Sequence, residues 1–368
     1  MQRIKDFVKR EVTLCVAFFA ALASCFFVPP DRAYFGYADI RTLALLYCLM
    51  VVVAGLRRAG LFSSLAHFLC GRVTTVRSIG LVLTALCFFS SMLITNDVAL
   101  LTFVPFSLVV LGLARQEKAF AWVAVLQTVA ANLGSMLTPV GNPQNLYLYS
   151  HYGMNAGEFV SATLPVWGLS MALIALLCLV LPKTGISVEL GDKPEIDRKM
   201  ASVNLVLFAV CLLVVLRAIE WPVMLIAVAA VLMLFDKGLL LKADFFLLLT
   251  FVCFFVFTGN LARIESVSAL LRRLLDGREL IVGVAASQVI SNVPAALLLS
   301  EFTDNARPLL LGVNIGGLGT PIASLASLIS LKLYSHAQDA DTGGFMARFL
   351  LVNAVLLALL LPVGLILT

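Results

Sequence analysis

Ala131-Asn-Leu-Gly-Ser-Met-Leu-Thr-Pro-Val-Gly-Asn-Pro-Gln-Asn-Leu146 and Val313-Asn-Ile-Gly-Gly-Leu-Gly-Thr-Pro-Ile-Ala-Ser-Leu-Ala-Ser-Leu328 read as copies of one another. Asn132 and Asn314, Gly134 and Gly316, Thr138 and Thr320, Pro139 and Pro321, and Leu146 and Leu328 coincide without a gap. Each stretch is a polar, helix-breaking island inside an apolar segment. Islands in corresponding positions of two halves mark helices unwound around a binding site near the middle of a membrane.

Composition agrees with a membrane setting. Of 368 residues, 61% are hydrophobic and 13% charged, against about 45–50% and about 25% in soluble domains, and the mean hydropathy is +1.03. Such a chain cannot cover itself with a water-compatible surface. Met1–Glu11 is charged, and the apolar run after it ends at Pro29-Pro30 without a small-residue cleavage site, which argues against a cleaved leader. The eight cysteines are scattered singly and read as small buried hydrophobes. The net charge of +5 sits between apolar segments rather than on one face, so it argues against nucleic acid and reports orientation instead.

Apolar runs of crossing length lie near 12–29, 38–55, 119–150, 159–181, 201–217, 221–235, 245–260, 308–334 and 346–366. Two of them, 119–150 and 308–334, contain the islands and are predicted to be broken helices. The stretches 78–113 and 279–300 have polar tips halfway along and charged residues at both ends, and are predicted to be re-entrant hairpins. The expected fold is an all-α polytopic membrane protein with about nine crossings, built as an inverted-topology repeat. Residues 1–181 form the first repeat, 182–200 a cytoplasmic linker, 201–217 a connecting helix and 218–368 the second repeat. The single helix at 201–217 inverts the second half. Arg57, Arg58, Arg72, Arg77, Arg115, Lys118 and the basic residues of 183–199 place the N-terminus in the cytoplasm. Arg263, Arg272, Arg273 and Arg278 dissent, in a stretch that reads, like 56–72, as an amphipathic helix at the interface.

The hairpin tips repeat as well: Ser91-x-x-Ile94-Thr95-Asn96 matches Ser287-x-x-Ile290-Ser291-Asn292. Asn is a good N-cap for a returning arm, and Pro294 suits the start of a helix. The tips are then either well-capped turns or, with the islands, parts of one site; convergence explains all four, because polar midplane elements are costly apart. Helix N-termini suit an oxyanion. Carbonyls freed at Thr138–Gly141 and Gly317–Ala323 suit a dehydrated sodium ion. The candidate substrate- and ion-binding residues are Thr95, Asn96, Asp97, Asn132, Thr138, Pro139, Gly141, Asn142 and Asn145. Their counterparts are Ser291, Asn292, Asn314, Gly316, Gly317, Thr320, Pro321 and Ser324. Sodium is expected near Thr95, Asn96 and Asp97 and near Ser291 and Asn292, with no other cofactor. No Lys, Arg or His lies in 78–113, 119–150, 280–300 or 308–331, and Asp97 is the sole carboxylate there. A lone intramembrane acid is a coupling-ion ligand, a proton carrier or a helix cap.

Ile94-Thr-Asn-Asp-Val-Ala-Leu100, Thr138-Pro-Val-Gly-Asn-Pro-Gln-Asn145, Ser287-Gln-Val-Ile-Ser-Asn-Val-Pro294 and Val313-Asn-Ile-Gly-Gly317 resemble the ion-transporter superfamily. Its members include divalent anion/sodium symporters, citrate–metal symporters, arsenite permeases and sodium/proton antiporters. The likeness is greatest to a short bacterial inner-membrane, anion-permease-like subfamily, and it covers the whole chain. It implies a homodimer, elevator-type movement and a location in the bacterial inner membrane. In the sodium/dicarboxylate branch the tips read Ser-Asn-Thr; here they read Thr95-Asn96-Asp97 and Ser291-Asn292-Val293, so neither a symmetric pair of sodium sites nor a dicarboxylate carries over.

The leading expectation is cation-coupled transport of a small anion, by sodium or a proton. The alternatives are efflux of a neutral metalloid such as arsenite, and sodium/proton antiport. An enzyme is not expected, because hydrolysis needs a nucleophile with a base or a set of metal ligands. His67, His151 and His336 fall in loops or interfacial segments, and no second acid accompanies Asp97 in sequence.

Overall fold

The computed structural model describes residues 11–186, 192, 194–337 and 340–368. The charged stretch before Glu11 and positions 187–191 and 193 of the expected linker lie outside the described residues. Among the described residues there are seventeen α-helices, joined by loops and short 3-10 turns, and no strand beyond an isolated bridge between Thr75 and Gly185. Eight helices are long and apolar enough to cross a membrane. The chain is an all-helical, multi-pass membrane protein.

The first half runs α1 (Val12–Phe27), α2 (Ile40–Arg58), α3 (Leu61–Cys70), α4 (Val76–Ile94), α5 (Asn96–Leu113), α6 (Glu117–Gly134), α7 (Pro143–His151) and α8 (Ala156–Leu177). After α9 (Arg198–Val215), the same order returns as α10 (Trp221–Phe235), α11 (Phe245–Ala262), α12 (Glu265–Leu275), α13 (Glu279–Ile290), α14 (Asn292–Leu299), α15 (Ala306–Ile315), α16 (Leu325–Ser335) and α17 (Thr342–Leu367). Two expected crossings, α1 and α10, are short, at 16 and 15 residues. Both arms of the first hairpin, at 19 and 18 residues, are of crossing length.

Those arms nevertheless fold back on each other. The Gln127 side-chain amide of α6 donates to the carbonyls of both Leu83 and Phe103, at 3.5 and 3.2 Å. In a continuous helix these two residues would lie about 30 Å apart. In the second hairpin the Glu279 carboxylate accepts from Thr303 Oγ1 at 3.1 Å and Asn305 Nδ2 at 2.5 Å, so its two open ends also meet. The two hairpin bases lie at opposite ends of α8. Val76 and Arg77 donate backbone N–H groups to Thr184 and Pro182, just beyond its C-terminus, whereas Tyr152, just before its N-terminus, donates its hydroxyl to the Thr303 carbonyl at 3.0 Å. A 22-residue helix, about 33 Å long, separates them.

A single residue makes each hairpin turn, and both adopt the same backbone conformation. Thr95 has φ 67° and ψ 150°, and Ser291 has φ 72° and ψ 154°. This region belongs almost exclusively to glycine and costs about 1–3 kcal/mol for other residues. The expected capping role of the asparagines is corrected here. Thr95 and Ser291 occupy the N-cap positions without a side-chain cap bond, while Asn96 and Asn292 are already the first helical residues. The positive φ turns the chain one residue earlier than a normal Asn cap would, and Asn96 instead accepts the Asp97 N–H at 3.0 Å and donates to Asn132 at 3.1 Å.

Helix α6 is the hub. Its apolar window is 89% buried, whereas those of α8 and α17 are 28% buried and leave broad apolar faces for lipid. Helix α4 packs along α6, and α13 along α15. The approach of α4 to α6 is so close that a Cβ on Gly134 would lie 2.1 Å from the Phe88 carbonyl oxygen. Across the repeats, α5 packs on α16 and α14 packs on α7. Around this core, α11 pairs with α1, and α2 with α9 and α10, as a frame. Where described, the linker is docked rather than loose, through Ile186 N to Thr74 O at 2.8 Å and Asp197 N to Ala59 O at 3.1 Å. At the opposite end of the frame the Arg263 guanidinium reaches Asp31 at 2.7 Å and holds that carboxyl below its ordinary range.

Two measurements check this packing. Gly134→Ala is expected to lower stability by at least about 1–3 kcal/mol through overpacking, read as a fall in thermal midpoint. Thr95→Gly is expected to raise the midpoint, because backbone strain exceeds the roughly 0.5–1 kcal/mol that glycine loses in entropy. A fall in Thr95→Gly would contradict the strained-tip assignment.

Candidate functional site

Helices α6 and α15 each end at the protein centre, and the chain resumes after the break as α7 and α16. The two breaks are tied together by their repeated asparagines. Asn132 Oδ1 accepts from Ser324 Oγ at 2.9 Å, and its Nδ2 donates to Ser327 Oγ at 3.3 Å. In the other direction, Asn314 Nδ2 donates to Asn145 Oδ1 at 2.7 Å, and Asn314 Oδ1 accepts from Asn142 Nδ2 at 3.3 Å. Asn142 and Asn145 are the positional counterparts of Ser324 and Ser327, so each repeat's asparagine grips the same two positions of the other. One grip is amide to amide, the other amide to hydroxyl.

The tips dock unequally on this lock. Asn96 Nδ2 donates to Asn132 Oδ1 at 3.1 Å, which pins the first tip. Ser291 Oγ reaches the Ala323 carbonyl at only 3.5 Å, and Asn292 makes no side-chain hydrogen bond among the described residues. Its Nδ2 instead lies 3.0 Å from where a Cβ on Gly317 would stand, so a larger residue at 317 would press on the second tip.

Thr138 and Thr320 act as rivets between arm and break. Thr138 Oγ1 donates to the Met92 carbonyl and Thr320 Oγ1 to the Gln288 carbonyl, again at corresponding positions. Of the freed carbonyls expected to face an ion, those of Thr138, Gly317 and Leu318 accept from protein amides, as do the neighbouring carbonyls of Ser135, Met136 and Gly316. Asn145 Nδ2 serves Ser135 O, Met136 O and Thr138 O, and Gln288 Nε2 serves Gly316 O and Leu318 O. Buried carbonyls left without donors are costly, and a neutral side-chain amide satisfies them at a fixed distance. Pro139 and Pro321 start the short turns inside the breaks, and Gly141 fits because a Cβ would lie 2.0 Å from the Ser135 carbonyl oxygen.

Groups that remain open lie at both tips and at the second break. The N-cap side chains of Thr95, Ser291 and Ser324 make no cap bond, although at the first of these ends the Asp97 N–H donates to Asn96 Oδ1 at 3.0 Å. Asp97 Oδ1 is buried without a hydrogen-bond partner. A cavity of about 760 Å³ reaches the first tip between α2 and α5, touching Thr95, Asp97 and Asn142 and bounded by Leu49, Met50 and Val53 of the frame. The corresponding pair on the other side of the pseudo-symmetric assembly, α11 and α14, is packed together. The charged groups of the cavity are Asp97, Asp244, Arg57, Arg58 and Lys242, with Arg58 paired to Asp236 at 2.5 Å.

Sequence reasoning missed several partners. Ser135 and Ser327 complete the lock, Gln288 holds the second break, and Gln127 with Thr128 anchors α6 to its neighbours. Gln127-Thr128 was visible as a polar pair inside an apolar run. Asp244 gave no such signal, because it sits at the start of α11 far from either hairpin in sequence.

The family model described as "CitMHS: Citrate transporter" matches residues 4–310. The chain is 31% identical over 325 residues to the "Uncharacterized transporter MJ0456" of Methanocaldococcus jannaschii, covering 88% of this chain and 87% of the relative. It is 30% identical over 317 residues to the "Inner membrane protein YbiR" of Escherichia coli, covering 84% of each. A shorter match, 32% identical over 154 residues, joins it to the "Silicon efflux transporter LSI3" of Oryza sativa subsp. japonica, covering 41% of this chain and 31% of the relative. With a family model matched over most of its length and transporters of similar size among its relatives, the chain belongs to the citrate transporter family and is a multi-pass membrane transporter rather than an enzyme.

Proposed function

We propose that this protein is a cation-coupled secondary transporter that moves a small anion across the bacterial inner membrane by elevator-type alternating access. The observation that carries the reading is the one-sided cavity: open between α2 and α5 down to the first hairpin tip, while α11 and α14 are packed together. Two hairpins with bases at opposite ends of α8 support inverted repeats, which alternate between two states by exchanging conformations as one body moves past the other. Arg57, Arg58 and Lys242 around the cavity support a cytoplasm-facing state.

In this reading the anion is held by the uncapped N–H groups of α14 and α16 and by Asn292, since the segments around them carry no cationic side chain. A positive partial charge of about half a unit at each helix N-terminus favours an oxyanion. The cation sits at Asp97 with Thr95, where it neutralises the one acid of the site. Citrate, named in the family description, is the first anion to test. A second reading, export of a small uncharged metalloid hydroxide such as arsenite, draws on the same lack of cationic side chains and on the likeness to a protein named as a silicon efflux transporter.

In proteoliposomes, uptake of radiolabelled citrate, or of another anion that stabilises the protein, is expected to follow an imposed sodium or proton gradient. Asp97→Asn is expected to abolish that dependence; gradient-driven uptake that survives the substitution would sink the coupling site. Asn132→Ala is expected to lower stability by about 1–3 kcal/mol, because it strands the buried donors of Asn96 and Ser324. Chemical denaturation monitored by tryptophan fluorescence reads that loss, and a neutral effect would mean that the lock does not hold the breaks together.

A further inference from the structure

On the wall of the cavity that faces the first tip stands a second carboxylate, Asp244. It caps α11, with one oxygen accepting the Leu247 N–H at 3.0 Å. Asp244 therefore belongs to the frame, whereas Asp97 rides on the hairpin. Of the other charged groups on the cavity, Arg58 is paired to Asp236, and Arg57 and Lys242 are solvent-exposed. Asp244 and Asp97 line the same cavity, and Asp97 Oδ1 has no hydrogen-bond partner among the described residues.

We infer that Asp244 is a positioning residue for the coupling cation, which it draws toward Asp97 from the opposite wall of the cavity. The inference rests on the proposed role of Asp97 as the cation's ligand. Two carboxylates facing one cavity hold a cation more tightly than either alone, and their mutual repulsion makes the unloaded state less favourable. Because the two acids sit on different bodies, movement of the hairpin away from α11 leaves Asp97 without its helper. The cation is then bound tightly where the cavity is open and more weakly at the other end of the stroke. A ligand shifts a two-state equilibrium only by its difference in affinity for the two states, and Asp244 supplies such a difference.

The test uses the purified full-length protein, whose thermal midpoint is followed against sodium, with choline as replacement, and separately against pH. The wild-type midpoint is expected to rise with one of these two cations, and Asp97→Asn to remove the rise. Asp244→Asn and Asp244→Ser both keep an N-cap oxygen for α11, so their midpoints without the cation should match wild type. Each is expected to raise the half-maximal cation concentration by roughly three- to ten-fold, a difference that shrinks as inert salt is added. An unchanged half-maximal concentration in both variants, with the Asp97→Asn effect intact, overturns this inference and leaves the proposed function standing. No rise with either cation, or a rise that survives Asp97→Asn, overturns both.

Discussion

A helix broken in the middle of a membrane exposes backbone groups where no bulk water can satisfy them, each at a cost of several kcal/mol. The rest of this structure depends on meeting that constraint twice. Asn145 and Gln288 do so by donating to carbonyls that the breaks set free, and Asn132 and Asn314 tie the two breaks together, each gripping two positions that follow the other repeat's break. The breaks thereby become a single polar centre, and the four half-helices α6, α7, α15 and α16 are fixed around it. Hairpins whose turns need strained backbone at Thr95 and Ser291 persist only because this centre over-determines them.

The same lock explains why the site is less symmetric than the scaffold. Where the second hairpin has Gln288, the first has Met92, so the second break is held by an amide from its own hairpin and the first by Asn145 from beyond the break. The first tip is pinned through Asn96, while the Asn292 side chain at the second makes no hydrogen bond among the described residues. Of the two tips the first carries an acid, and a cavity reaches it.

Much of the fold was legible because polar residues in apolar runs are expensive and leave a sharp trace. The breaks after Gly134 and Ile315 and the short helices α3 and α12 all appear where composition put them. The backbone at the tips was not legible: an Asn after a hydroxyl residue reads as a cap, and only the positive φ of Thr95 and Ser291 shows the turn falling one residue earlier. Nor could spacing say which carbonyls would be occupied by Asn145 and Gln288, since that depends on how the side chains meet in three dimensions. Asp244 was invisible for the same reason: in sequence it is an ordinary cap before an apolar helix, and only the packing of the two halves brings it to the wall facing Asp97.

The central claim is that two oppositely entering hairpins share one centre that opens to one side at a time. Its most direct measurement is the labelling of single cysteines at the tips, Thr95→Cys and Ser291→Cys, in a background with the eight native cysteines replaced. A membrane-impermeant thiol reagent is applied separately to the two faces of oriented vesicles. The account predicts that Thr95→Cys is labelled from the face carrying Arg57 and Arg58 and that Ser291→Cys is protected from both faces in the same state. Labelling of both tips from one face, or of Thr95→Cys from the opposite face, would contradict it.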